Sequence, residues 1–279
     1  MQETGNRRLE DITTDQRDPL SFAVAARDAR VEDMVDAALR HRHVALAFQP
    51  IVPAGNPANV AFYEGLIRIY DETGRFIPAG DFIHAVEQTE IGRRIDTVAL
   101  DLGLRELARR PDLRLAINMS ARSIGYPPWM RILRKRLMGD PTVGERLILE
   151  ITESSAMLIP ELVTSFMSDM RRHGIGFALD DFGAGYTSFR YLRNFLFDVL
   201  KIDGQFIQGV ATNADNQVLS SALIAIAQQM DMLTIAEQVE NAADAKWLVE
   251  AGVDCLQGYY FAAPTVHPPW EETKRATGT

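Results

Sequence analysis

Six short apolar runs in this chain end on a side chain that does not belong in a hydrophobic interior. LRLAIN closes on Asn118, RLILE on Glu150, IGFALDD on Asp180 and Asp181, DVLK on Lys201, LTIAE on Glu237 and CLQ on Gln257. Strands buried on both faces of a parallel sheet read as near-continuous hydrophobic runs, so polar groups that close one run after another collect at a shared rim. That pattern restricts the fold, because an α/β barrel carries its chemistry at the C-terminal ends of its strands.

The spacing agrees. Successive strand ends lie 32, 30, 21, 36 and 20 residues apart, and each interval can hold one crossover helix. Ahead of them, VALAFQPIV and VAFYEGLIRIY flank the turn-rich PAGNPAN, a connection too short for a parallel pair, so these two strands are expected to be antiparallel. VEDMVDAALRHR predicts a lead-in helix. Residues 1–28 read as a charged tail or linker, in which SFAVAARDAR is an alternative helix start; 29–270 form the barrel and 271–279 a C-terminal tail. Between Ser154 and His173, Leu158, Leu162, Phe166 and Met170 recur at helical spacing before a stop at Gly174. Between Asp215 and Met230, so do Val218, Leu219, Ala222, Leu223, Ile226 and Ala227. Both stripes, and Trp247 further on, are expected in the core.

A chain of 279 residues, 47% hydrophobic and 24% charged, is long enough to bury one large core. A net charge of −9 speaks against a sequence-independent grip on DNA or RNA, and a phosphate ligand would need bound cations. Cys255 is the single cysteine, reads as a small core residue and suits a reducing compartment. The N-terminus has no apolar signal region, and no segment reaches the roughly 18 apolar residues of a membrane span. The expectation is a soluble cytoplasmic protein.

Carboxylates and an amide converging at one rim cannot all stay ionised without cations, because like charges a few ångströms apart raise one another's pKa. All-oxygen ligands select hard ions, which favours Mg²⁺ or Mn²⁺ over zinc. In the adjacent pair Asp180 and Asp181, one carboxylate can bridge two metals while its neighbour completes the second site. Taken singly, an acid after a strand is more often the N-cap of the next helix, and Lys201 alone reads equally well as a snorkelling surface lysine. Recurrence at Glu150, Asp180 and Glu237 shifts that balance. Gly183 and Gly185 form a lone GxG, which signals a tight mobile loop and not a dinucleotide site. His41 and His43 lack a third ligand close in the pattern.

The ordered segments FQPIV, YEGLIR, INMS, LEITES, LDDFGAGYTS, LKID, AEQVE and LQGYYF resemble the EAL-domain phosphodiesterases that hydrolyse the bacterial messenger cyclic di-GMP, over roughly residues 30–265. The resemblance implies a (β/α)8 TIM-type barrel with an antiparallel first strand. It implies that Glu64, Asn118, Glu150 and Asp180 ligate a first metal, and that Asp181, with Asp180 and Glu237, forms the second metal environment. By the same resemblance Lys201 holds the attacking water, Glu153 steadies the DDFG loop, and Gln49, Leu66, Arg68, Asp203, Glu240 and Gln257 line the substrate pocket. Two Mg²⁺ or Mn²⁺ ions, a linear pGpG product and a homodimer complete the expectation. A catalytically silent cyclic di-GMP receptor and an enolase-like Mg²⁺ barrel lyase are the alternatives.

Three positions depart from the family's pattern: Gly65 replaces an alanine, Gln238 stands where glycine is common, and Ala263 stands where a basic residue often precedes the last proline. Gly65 is expected to loosen the strand beside Glu64, and Gln238 to crowd the pocket mouth.

Overall fold

The computed structural model describes residues 19–71, 73–184 and 192–271, with side chains from Val24 onward. After a helix α1 (Pro19–His41), the chain forms an antiparallel pair, β1 (Val44–Pro53) and β2 (Phe62–Tyr70), and a short edge strand β3 (Phe76–Pro78). A short helix α2 (Ile83–Val86) and the long α3 (Glu90–Arg109) lead to β4 (Leu115–Asn118). The helix α4 (Pro127–Gly139) leads to β5 (Leu147–Thr152), and α5 (Glu153–Ala156) with α6 (Pro160–Arg171) leads to β6 (Gly176–Phe182). There follow β7 (Val199–Ile202), α7 (Gly204–Ile207), α8 (Ala214–Gln229), β8 (Leu233–Ala236), α9 (Ala242–Glu250) and β9 (Cys255–Leu256).

The strand order β1-β9-β8-β7-β6-β5-β4-β2 closes on itself through the β1–β2 pairing, giving an eight-stranded barrel with β3 outside it. β1 runs antiparallel to both neighbours, while β2 and β4 to β9 are parallel to one another. The fold is the expected (β/α)8 barrel with an antiparallel first strand.

Two apolar layers hold it together. Outside the barrel wall, the helices bury residues such as Trp129, Leu104 and Phe177 against the strands. Inside, Ile51, Phe62, Ala116, Ala178, Val199, Ile235 and Cys255 form a plug, with Ile148 packed against it. Strand side chains alternate faces with a period of two, so the residue two positions on from each plug residue also points inward, one layer higher. Those residues are Glu64, Asn118, Glu150, Asp180, Lys201, Glu237 and Gln257. On the reversed β1 the same step runs backward from Ile51 to Gln49.

Three expectations change. Helix α1 is continuous from Pro19, so SFAVAARDAR belongs to a helix, in line with the alternative reading, and not to a tail that runs to position 28. The segment from Ser154 splits into α5 and α6, because Pro160 restarts the helix at its first turn; Leu158 and Leu162 are exposed while Val163, Phe166, Met167 and Met170 carry the buried face. In α8, Leu223, Ile224 and Ala227 are buried, whereas Val218, Leu219 and Ala222 face outward. α6 ends at Arg171 with Arg172 as its C-cap, Gly174 turns the chain toward β6 at φ +79°, and Trp247 is half-buried against the core. Among the described residues no helix is long and apolar enough to cross a membrane.

Candidate active site

Lys201 occupies the centre of the inward layer and is fully buried. Its Nζ lies 2.7 Å from Glu237 Oε1, 3.0 Å from Glu150 Oε2, 3.0 Å from Asp180 Oδ1 and 3.4 Å from Glu64 Oε2. The amides fix the carboxylates. Asn118 Nδ2 donates to Glu64 Oε1 at 2.7 Å, and Gln257 Nε2 donates to Glu64 Oε2 at 2.6 Å and to Gln49 Oε1 at 3.1 Å. Gln49 in turn donates to the Ala262 carbonyl. Lys201 is thus a buried cation among carboxylates and not a snorkelling surface lysine.

Neighbouring residues on a strand normally point to opposite faces, yet Asp180 and Asp181 both reach the rim. The β6–β7 register shifts between Leu179 and Phe182, and Asp181 takes φ +53°, a backbone state that costs a non-glycine residue about 1–3 kcal/mol. Asp180, Asp181 and Glu237 consequently offer carboxylate oxygens within 4.8 Å of one another. The following turn is held from the first residue of α5: Gly183 N–H donates to Glu153 Oε2 at 3.1 Å. Gly183 has φ +97°, and a Cβ there would meet the Phe206 ring at 2.5 Å, so the turn has no room for a side chain. Gly185 lies outside the described residues.

The electrostatics follow from burial. Burial works against the Lys201 ammonium, but Asp180, Glu150, Glu237 and Glu64 together hold its pKa well above the ordinary value. Burial also raises Glu64, yet the Lys201 charge and the Gln257 and Asn118 amides outweigh it and leave Glu64 below the usual carboxylate range. Glu150 is lifted well above that range by burial and by the Glu64 charge. Burial, with Asp180 nearby, pushes Glu237 up to about 8 and Asp181 up to about 6. One ammonium therefore does not offset five carboxylates, and an all-oxygen set with this excess charge fits a hard divalent ion.

The rim opens into a cleft of about 630 Å³. Gln49, Glu64, Leu66, Arg68, Asn118, Asp180, Asp181, Lys201, Glu237, Glu240 and Gln257 all line it. Glu150 lies beneath it, Glu153 stands behind the Gly183 turn, and Asp203 is not on its wall. Asp203 instead takes the capping role common for strand-end acids, accepting from Gln205 N at 2.8 Å as the N-cap of α7. The exposed rings of His41 and His43 sit 5.9 Å apart, and neither belongs to a metal-competent group among the described residues.

Sequence reading missed His84, Glu87, Asp96 and Tyr259, which also line the cleft. None ends a strand, so the apolar-run signal does not reach them. Asp96 on α3 is buried, accepts from Ser120 N and Ser123 Oγ, and is pushed up to about 6 by burial. Two of the three departures stand at the cleft. Gly65 leaves the space that Ile117 Cδ1 fills, 2.7 Å from where a Cβ would stand. Gln238 lines the cleft in a left-handed conformation, φ +51°, which glycine favours.

Residues 32–264 match the family described as the EAL domain. The chain belongs to the EAL domain family. Among relatives, the signaling protein YkoW of Bacillus subtilis (strain 168) is 33% identical over 213 residues, covering 75% of this chain and 27% of YkoW. The bifunctional diguanylate cyclase/cyclic di-GMP phosphodiesterase MucR of Pseudomonas aeruginosa is 30% identical over 232 residues, 81% of this chain and 34% of MucR. The solved structure of the PaMucR phosphodiesterase in complex with c-di-GMP matches with a TM-score of 0.78 at 29% identity, covering 87% of this chain and 99% of that one. This EAL chain thus spans about a quarter to a third of the length of the two curated relatives.

Proposed function

We propose that this EAL barrel hydrolyses cyclic di-GMP to linear pGpG, using two Mg²⁺ or Mn²⁺ ions per site. The observation that carries the proposal is the complete inward layer, in which Glu64, Asn118, Glu150, Asp180, Asp181 and Glu237 surround Lys201 beneath an open cleft. Names of relatives such as MucR support the substrate.

Glu64, Asn118, Glu150 and Asp180 would hold one ion, and Asp180, Asp181 and Glu237 the other. Bound there, divalent ions supply Lewis-acid stabilisation of phosphoryl charge and a more acidic water. Lys201 directs its ammonium at the attacking water, which bonds to phosphorus in line as the P–O3′ bond breaks; a 5′-phosphate and a 3′-hydroxyl remain. Arg68 offsets phosphate charge, and Glu153 steadies the Gly183 turn that carries Asp181. Gln49, Leu66, Glu240 and Gln257 contact the nucleotide from the cleft wall, and Asp203 serves the pocket indirectly, by capping α7 two residues after Lys201.

The exposed apolar Leu158, Ile159 and Leu162, next to the helix that carries Glu153, support a homodimer through this side. Buried, unpaired Cys255, whose thiol burial pushes up to about 11, fits a cytoplasmic setting.

Incubation of purified protein with cyclic di-GMP and Mg²⁺ or Mn²⁺, followed by nucleotide separation, tests the reading. Linear dinucleotide is expected. Intact cyclic di-GMP recovered in bound form would instead assign a silent receptor.

A further inference from the structure

Surface arginines in this protein are mostly paired. Arg27, Arg40, Arg75, Arg93, Arg94, Arg105, Arg109, Arg171 and Arg172 each meet a carboxylate. Among the described residues, Arg30, Arg42, Arg114 and Arg193 stand singly without such a partner, whereas helix α4 gathers its unpaired cations together. Arg131, Arg134, Lys135 and Arg136 have no ion-pair partner among the described residues, although the chain as a whole is acidic. Residues 113–139 contain six Arg and Lys and no Asp or Glu, which leaves the remainder of the chain at −15 against −9 for the whole. The flanking acids are already engaged: Asp140 caps the next turn and faces Arg146, and Glu90 meets Arg93 and Tyr126.

The cations are ordered as well as unpaired. Arg131, Arg134, Lys135 and Met138 fall at i, i+3, i+4 and i+7, so they form one stripe along the helix. All four are exposed, Met138 at 85%. With Gly125, Pro127 and Met130 they line a groove of about 690 Å³. The bulky apolar residues of α4, Trp129, Leu133 and Leu137, are turned into the core and are not available at the surface.

We propose that this groove is a docking site for an acidic, amphipathic segment of a partner protein. Its carboxylates would meet the Arg131, Arg134 and Lys135 stripe, and its apolar side chains would pack on Met130 and Met138, since methionine adapts to varied surfaces. A bilayer is disfavoured, because an interfacial helix needs a broad apolar face projecting outward, and α4 turns Trp129, Leu133 and Leu137 inward and leaves Met138 as its one large, exposed apolar side chain. Nucleic acid is disfavoured by the −15 on the rest of the chain. A twofold contact between two copies of α4 would set like charges against each other.

The probe is a fluorescein-labelled helical peptide of alternating Glu and Leu pairs, with poly-Glu of equal charge as comparison, read by anisotropy. The full chain should bind the amphipathic peptide in about the micromolar range and more tightly than poly-Glu. R131E/R134E/K135E should weaken it at least about tenfold, and Met138→Ser should weaken the amphipathic peptide but not poly-Glu. Neither variant touches the cleft, so both should unfold at the parent temperature. Peptide affinity unchanged by charge reversal overturns the proposal. So does equal affinity for both peptides, or R131E/R134E/K135E-sensitive pelleting on phosphatidylglycerol vesicles without peptide binding.

Discussion

The Gln238 side chain lies where a Cβ on Gly204 would have to go: the built position is 2.3 Å from Gln238 Cδ. Gln238 also accepts from Gln208 Nε2, at the C-cap of α7, at 3.1 Å, so the residue after Glu237 is held against both ends of α7, the helix that follows Lys201. This chain thus uses a glutamine in a glycine-favouring conformation to tie two of its rim strands together. Gly204→Ala should expel Gln238, shift the Glu237 turn and lower kcat roughly tenfold to a hundredfold. In the double variant Gly204→Ala, Gln238→Gly, kcat should partly recover, because the clash is gone and the left-handed strain with it. Independent, additive losses at the two positions would contradict the clamp.

Metal dependence is the second expectation. Hydrolysis should require Mg²⁺ or Mn²⁺, stop in excess chelator, and be inhibited by Ca²⁺, whose larger, flexible coordination occupies the acids without the geometry of the smaller ions. Full turnover in chelator would remove the metal from the account.

Lys201→Ala and Asp181→Ala should lower turnover by orders of magnitude while cyclic di-GMP binding stays measurable, because both act on the water more than on the ground-state ligand. Lys201→Ala should also cost about 3 kcal/mol of stability in chelator, since it removes the cation buried among Glu64, Glu150, Asp180 and Glu237. Calorimetry with and without Mg²⁺ measures that cost, and unchanged turnover would refute the role.

The inward layer was legible because its periodicity is strict. A buried strand leaves an apolar run, and the plug residue two positions earlier makes the final polar side chain conspicuous, as in Ala116 to Asn118 and Val199 to Lys201. Helices gave weaker signals. In α8 the only charged residue is Asp215, so apolar residues occur on every face and spacing alone did not tell buried Leu223 from exposed Val218. Asp96 sits on a helix whose polar positions otherwise look solvated, and only the folded chain places it against Ser120 and Ser123.

Asp96 yields a pH prediction. Burial raises its folded pKa to about 6 from an unfolded value near 3.8, so the stability linked to its proton is fully present below pH 3.8 and is lost as pH rises through 6. Asp96→Asn keeps an acceptor but has no charge to bury. Relative to the parent, the variant should therefore gain stability between pH 4 and pH 7, on the order of 2 kcal/mol. Urea unfolding of both proteins at the two pH values reads the difference; a constant gap would place Asp96 in a solvated setting.

The most direct test of the metal site is Glu64→Gln, with Glu153→Gln as its companion. Glu64→Gln keeps the size of the side chain but removes its charge, and its single amide oxygen can accept from only one of Asn118 and Gln257, so metal affinity and cyclic di-GMP hydrolysis should both collapse while the fold survives. Glu153→Gln should act more weakly, through the Gly183 turn. Hydrolysis and thermal unfolding measured on the two variants give the answer. A Glu64→Gln protein that still cleaves cyclic di-GMP at near the parent rate would contradict the account.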